Sequence, residues 1–191
     1  MRRSDWVPPI AWMVVILAMS TDVGSAEHTG GFLFPALRWI WPAVTPPLMD
    51  AVHAAIRKLG HLTEYAVLAG LWYRALVSGR RPPRTAAVIA VALSVVWASI
   101  DEALQMLTPS RTASVVDVGI DATGALLATL GASGWPRLVD VTTSTLLWTA
   151  TIVGCAALVI NALTGVGSGA LWVTTPAAAL AVAARGRAPS G

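Results

Sequence analysis

The sequence predicts an all-α, polytopic transmembrane helical bundle, and three observations carry this prediction. Only 12% of the 191 residues are charged, about half the fraction usual in soluble domains, while 55% are hydrophobic. The mean hydropathy is +0.67. The stretch from Val141 to Ala184 contains no charged residue. A chain of this composition cannot cover a water-facing surface with polar groups and is typical of an integral membrane protein.

Charge and cysteine content exclude several other classes. The 13 basic residues against 10 acidic residues give a net charge of +3, too small for a nucleic-acid-binding surface. Cys155 is the single cysteine, so the chain cannot form an intramolecular disulfide and is not a disulfide-stabilised secreted scaffold.

Charge-free stretches predict about six membrane spans, each near the roughly 20 residues that a bilayer core requires. They are residues 7–20, 62–77, 85–105, 114–135 and two spans within 141–184. The last two are separated by the turn-rich segment 161–169, and Pro176 interrupts the sixth. Without a long linker or an internal repeat, the sequence predicts one bundle.

Two segments near the N-terminus allow more than one interpretation. The first span is predicted to be a membrane anchor, although its short apolar run followed by Gly-Ser-Ala also fits a cleaved signal peptide. Residues 46–60 carry apolar side chains at helical spacing after two prolines. This pattern predicts an amphipathic helix before the second span, lying on the membrane surface or packed on the bundle.

The distribution of Lys and Arg along the chain predicts the orientation of the protein in the membrane. With both termini in the cytoplasm, nine of the 13 basic residues fall in cytoplasmic segments, which satisfies the positive-inside rule. The outside segments then hold Arg38, Arg57, Lys58 and Arg111.

Most of the other residues with chemically active side chains lie in or next to three of the predicted spans. They are Lys58, His61, Glu64 and Tyr65 at the second span, Asp101, Glu102 and Gln105 in the third, Ser114, Asp117, Asp121 and Gly124 in the fourth, and Arg111 between the third and the fourth. Spacings of three or four residues place several of these side chains on shared helix faces. All three groups lie at the predicted outer ends, and Asp101 and Asp121 are both about 10 Å below the interface.

Burial makes this cluster a candidate site. A charged side chain facing lipid costs about 2.5–3.5 kcal/mol at a helix centre, so the carboxylates are expected to face one another or a water-filled cavity. They outnumber the nearby basic groups, which allows a bound cation at Asp101, Glu102 and Asp121. Such polar pairs can also simply hold helices together, at about 0.6 kcal/mol each, and Ser114 fits a helix N-cap.

The segments KLGHLTEYAVL and DEALQMLTPSRTASVVDVGIDATG together resemble the VanZ-like family of bacterial membrane proteins. The family signature is Lys, His and Tyr on one helix, then Asp-Glu with a following Gln, an Arg after a short turn, and an Asp with a Gly seven residues on. These positions fall on the cluster residues named above within residues 58–127, with Asp121 where many relatives have Asn. The resemblance implies a four-helix core at residues 1–135 and an appended hairpin at 136–191, in the bacterial cytoplasmic membrane.

Three functions fit this pattern. The first is an outward-facing pocket that binds a membrane lipid head group, a lipid-linked cell-wall precursor or a glycopeptide, in keeping with the family's association with teicoplanin susceptibility; Lys58 and Arg111 would bind phosphate or carboxylate. The second is an enzyme acting on a lipid-linked phosphate, with His61 as acid, base or nucleophile, oriented by Asp101 or Glu102. The third is a proton- or cation-coupled transporter, which the lack of an inverted repeat disfavours. The sequence contains neither a zinc-protease motif nor a phosphate-binding loop, so it does not decide whether the protein is an enzyme.

Overall fold

The computed structural model describes residues 3–20, 34–35, 37–106, 114–165 and 168–186, and all regular secondary structure in these ranges is helical. A 3₁₀ turn at Arg3–Trp6 leads into α1 (Val7–Met19), followed by α2 (Pro46–Ser78), α3 (Pro83–Gln105), α4 (Val115–Gly134), α5 (Pro136–Thr164) and α6 (Leu171–Gly186). Residues 37–40 form a further helical turn before α2. The all-α prediction is confirmed.

Proline and glycine set several of the helix ends. Prolines occupy the first helical positions of α1, α2, α3 and α5, where the missing N–H has no intrahelical acceptor and the fixed φ already suits a helix. At the other end of α5, Gly165 adopts a left-handed φ of 72° that glycine tolerates without steric cost. The predicted turn between the fifth and sixth spans therefore lies where glycine and polar residues first interrupt the apolar run. Pro176 lies inside α6 and does not end it.

The second helix is longer than predicted. α2 runs without a break for 33 residues, about 50 Å at 1.5 Å per residue, whereas a bilayer core is about 30 Å thick. The predicted amphipathic segment 46–60 and the predicted span 62–77 are therefore two parts of one helix. Because no proline follows Pro47 within α2, nothing in the backbone forces a bend between them.

Three of the described helices are long and apolar enough to cross a membrane: Pro83–Gln105, Val115–Gly134 and Pro136–Leu163. α1 and α6 are apolar but shorter. The chain is thus a helical membrane protein by composition and structure, and the number of six spans stays a prediction.

Small side chains let the central helices pack closely. On α3, Ala86, Ala90, Ser94 and Ala98 recur every fourth residue and are fully buried. Val88 on the same helix points outward and is 70% exposed. Small residues inside and large apolar residues outside are expected where the surface contacts lipid and association depends on close helix approach.

The N-terminal and C-terminal helices pack against each other. α1 lies against α6, and the shared core includes Trp12, Ile16 and Ala181. The indole Nε1 of Trp12 also donates a hydrogen bond of 2.9 Å to the main-chain oxygen of Glu64 on α2. α1 is therefore packed into the bundle through contacts with both α6 and α2.

A second polar contact lies near the C-terminal end of α2. Asp140 Oδ1 on α5 is 2.7 Å from Arg74 Nη1 on α2 and 2.7 Å from Arg185 Nη2 on α6. One carboxylate thus links three helices, including the two that follow the predicted four-helix core.

Candidate functional site

The candidate site lies where α2, α3 and α4 pack together. The last turns of α3 carry Asp101, Glu102 and Gln105, all buried, and the second turn of α4 carries Asp121, also buried. The middle of α2 supplies His61, which is partly buried, and Tyr65, which is fully buried. The antiparallel course of α3 and α4 brings the end of one helix beside the start of the next.

His61 on α2 and Asp121 on α4 contact each other at this site. The distance from His61 Nδ1 to Asp121 Oδ1 is 3.3 Å, and the two side chains are 14% and 0% exposed. The distance is that of an ion pair, but neither atom has the alignment of a hydrogen bond. Asp121 is thus a carboxylate in contact with the imidazole, and the hypothesis that Asp101 or Glu102 orients His61 stays a prediction.

Glu102 ties the end of α3 to the start of α4. Its Oε2 accepts a hydrogen bond of 2.7 Å from the backbone N–H of Ser114. The hydroxyl of Ser114 in turn accepts from the N–H of Val116 at 3.2 Å, which confirms Ser114 as the N-cap of α4. Glu102 Oε1 is buried and has no hydrogen-bond partner among the described residues. Oε2 of Glu102 therefore has a structural role, and Oε1 of the same side chain faces the site.

Asp101 is held by its own helix. Gln105, one turn later, donates from Nε2 to Asp101 Oδ2 at 3.0 Å, as their shared face predicts. Next to this pair, the hydroxyl of the fully buried Tyr65 has no partner within the described part of the chain. The hydroxyl is thus a further buried polar group between α2 and the helices that carry the carboxylates.

Gly124 allows α4 to approach α2 at this level. A Cβ added to Gly124 would collide with the main-chain carbonyl of Leu62, the residue that follows His61. Only glycine fits such a backbone contact. Because Asp121 lies one turn before Gly124, the same contact brings its carboxylate to the imidazole.

Three side chains are arranged so that they could hold a metal ion. One ligand atom from each of His61, Glu102 and Asp121 lies within 4.8 Å of the other two. Imidazole nitrogen and carboxylate oxygen both ligate divalent ions, at about 2.0–2.2 Å for zinc. The cation set predicted from the sequence, Asp101, Glu102 and Asp121, shares Glu102 and Asp121 with this group, which has His61 as its third member.

The other predicted site residues lie around this group. Lys58 is exposed and has no ion pair with any described residue, and Glu64, six residues later on α2, is half-buried. Asp117 lies in the first turn of α4, close enough to act electrostatically on His61 and Glu102. Arg111 lies outside the described residues. The structure thus brings His61, Tyr65, Asp101, Glu102, Gln105 and Asp121 together and leaves Lys58 at the edge.

Sequence reasoning missed the contact of Arg74, Asp140 and Arg185 at the opposite end of the bundle. A signal was present, because Asp140 is the single acidic residue after Asp121 and stands beside an otherwise uncharged stretch.

A family model described as VanZ/LLP1 matches residues 6–136 of the chain. The matched segment contains every residue of the candidate site, while Asp140 and Arg185 lie beyond it. No curated protein and no solved structure matches the chain.

Proposed function

Because the chain belongs to the VanZ/LLP1 family, we propose that it acts at the bacterial cell envelope, where the polar cluster forms a pocket that binds the anionic head group of a lipid-linked cell-wall precursor or a glycopeptide. The observation that carries this proposal is the convergence of six buried or half-buried polar side chains from three helices. Unpartnered buried oxygens on Glu102, Asp121 and Tyr65, within the described residues, support a ligand-binding role. A bundle held together by polar pairs alone would satisfy these atoms internally.

The proposal includes a divalent cation at the site, because the buried carboxylates need a compensating positive charge. Asp101, Glu102 and Asp121 are buried near one another, and a negatively charged head group would be repelled by them. A cation on His61, Glu102 and Asp121 would offset these charges and present open coordination positions to a phosphate oxygen. Lys58, one turn before His61 and exposed, would contact the same phosphate from the edge.

Binding can be measured directly with protein in phosphatidylcholine nanodiscs. We expect saturable binding of lipid II or undecaprenyl phosphate, weakened about tenfold or more in Lys58→Ala by the loss of one charge-assisted contact. Arg81→Ala, in the turn at the opposite end of the bundle, is the matched control and should bind as the wild type does. Binding of teicoplanin to the same nanodiscs is measured separately. Saturable binding of teicoplanin without binding of either lipid would identify a glycopeptide as the ligand. Absence of saturable binding to all three, or equal losses in both variants, would contradict the proposal.

A membrane enzyme acting on a lipid-linked phosphate is the second candidate, and the contact between His61 and Asp121 favours it. A carboxylate beside an imidazole fixes the tautomer and supports general acid–base chemistry. Turnover of the same lipids that is abolished in His61→Ala but retained in Asp117→Asn would establish this alternative. Binding without turnover would exclude it for these substrates.

The proposed orientation places the site outside and both termini in the cytoplasm. In a Cys155→Ala background, a cysteine introduced at Ser110 is expected to react with a membrane-impermeant maleimide in whole cells. A cysteine introduced at Arg81, at the other end of the bundle, should react only after the cells are permeabilised. The reverse labelling pattern would contradict the orientation.

A further inference from the structure

The end of the bundle opposite the candidate site carries a second polar feature, built on Arg74, Asp140 and Arg185. Both guanidinium groups contact the same carboxylate oxygen, Asp140 Oδ1, at 2.7 Å. Arg185 Nη2 also donates to the main-chain oxygen of Asp140 at 3.2 Å. A guanidinium has five N–H donors, so each arginine keeps donors that this carboxylate does not use.

A cavity of about 230 Å³ opens beside this group between α2, α5 and α6. Arg74, Asp140 and Arg185 form its polar side, together with Ser144. Its other side is apolar and consists of Leu147, Trp148 and Val182. The cavity is therefore amphiphilic, with basic groups at the helix ends and an apolar wall toward the middle of the bundle.

The electrostatics at this end favour an anion. Two guanidiniums share one carboxylate, and Arg185 is nearly buried, with 8% of its side chain exposed. Asp5 and the same two arginines also line a separate and much smaller cavity of about 20 Å³. Arg80, Arg81, Arg84 and Arg137 stand at the same ends of α2, α3 and α5. Among the residues that line the cavity itself, there are two arginines and one aspartate.

We infer that this cavity binds the phosphate of an anionic phospholipid such as phosphatidylglycerol. The free guanidinium donors match phosphate oxygens, which arginine binds in a bidentate manner. The apolar wall, with Trp148 52% exposed on it, suits the first segments of an acyl chain, since tryptophan favours the membrane interface. Basic pockets between transmembrane helices are a recognised setting for anionic lipid head groups.

This site is independent of the proposed pocket at the other end. Arg74 on α2 is 13 residues from His61, about 20 Å along the helix. Asp140, Ser144 and Arg185 lie outside the segment that matches the family model. The inference therefore concerns the C-terminal helices and stands whether or not the other pocket binds a head group.

Native mass spectrometry of the full-length protein tests the inference. Protein released from detergent with equal amounts of phosphatidylglycerol and phosphatidylcholine is expected to retain phosphatidylglycerol selectively. Ser144→Phe fills the cavity while leaving the contacts of Asp140 with both arginines in place, and it should weaken retention about tenfold. Thr145→Phe adds the same bulk at an exposed neighbour that does not line the cavity and should retain the lipid. Arg185→Gln should weaken retention to a similar extent.

Three results would overturn the inference. The first is equal retention of the two lipids, and the second is wild-type retention in Ser144→Phe. The third is complete displacement of phosphatidylglycerol by inorganic phosphate at millimolar concentration, which would identify a site for free anions in place of a lipid.

Discussion

Purified protein is expected to bind about one Zn²⁺ or Mn²⁺ ion per chain, and Asp121→Asn is expected to abolish that binding. Asp121 supplies a fully buried carboxylate, neither of whose oxygens has a hydrogen-bond partner among the described residues. Together with His61 and Glu102 it forms a set of one nitrogen and two oxygen ligands, which suits divalent first-row ions better than Mg²⁺ or Ca²⁺. Asparagine removes the charge that pairs with the ion and keeps the size of the side chain.

The measurement is metal content after dialysis, together with thermal unfolding at several metal concentrations. At a metal concentration of 100 times Kd, bound metal stabilises the folded state by about 2.7 kcal/mol. For a protein of this size the melting temperature should then rise by roughly 5–10 °C, and chelation should reverse the rise. Asp121→Asn should show no such rise.

The variant also separates loss of metal from loss of folding. Without metal, Asp121→Asn is expected to remain folded, because it keeps the size of the side chain while it removes a buried charge. Asp117→Asn, one turn earlier on α4 and half-buried, is the matched control and should bind metal as the wild type does. Equal metal content in the wild type and Asp121→Asn, or metal-free wild type with intact fold, would refute the cation site.

Local features of the site follow directly from the sequence. The N-cap at Ser114 and the pairing of Asp101 with Gln105 both depend on side chains within four residues of each other. Such contacts are fixed by the helix repeat and need no knowledge of the neighbouring helices. The break after α5 is equally local, because glycine residues end the apolar run there.

Contacts between helices were harder to predict. The spacing in α2 places Lys58, His61 and Tyr65 near one face, yet Tyr65 is buried and Lys58 is exposed. α2 is longer than a bilayer core is thick, so its faces have different surroundings along its length, a property that spacing alone does not encode. The partner of His61 depends likewise on the rotation of α4 and its distance from α2.

That distance depends on Gly124, and Gly124→Ala is expected to destabilise the protein strongly. The added methyl group would overlap the carbonyl group of Leu62, which belongs to the backbone of a helix and cannot rotate away. α2 and α4 would have to separate along one of the most extensive helix contacts in the bundle. Overpacking of this kind costs about 1–3 kcal/mol, and a larger residue such as valine should cost more.

Gly119→Ala provides the matched control. Gly119 lies on the same helix, and a Cβ at that position meets no atom within 4 Å. Alanine there should leave the packing unchanged and stabilise the helix by up to about 1 kcal/mol through its higher helix propensity. The two variants introduce the same methyl group, so a difference between their melting temperatures measures the contact with α2.

The metal site should respond in parallel with stability. Leu62 follows His61, and Gly124 lies one turn after Asp121, so a separation of the helices at this contact also separates the imidazole from the carboxylate. We therefore expect weaker metal binding in Gly124→Ala, measured at a temperature where the variant is still folded, and unchanged binding in Gly119→Ala. If Gly124→Ala instead melts and binds metal as the wild type does, the close approach of α2 and α4 is not what positions Asp121 beside His61.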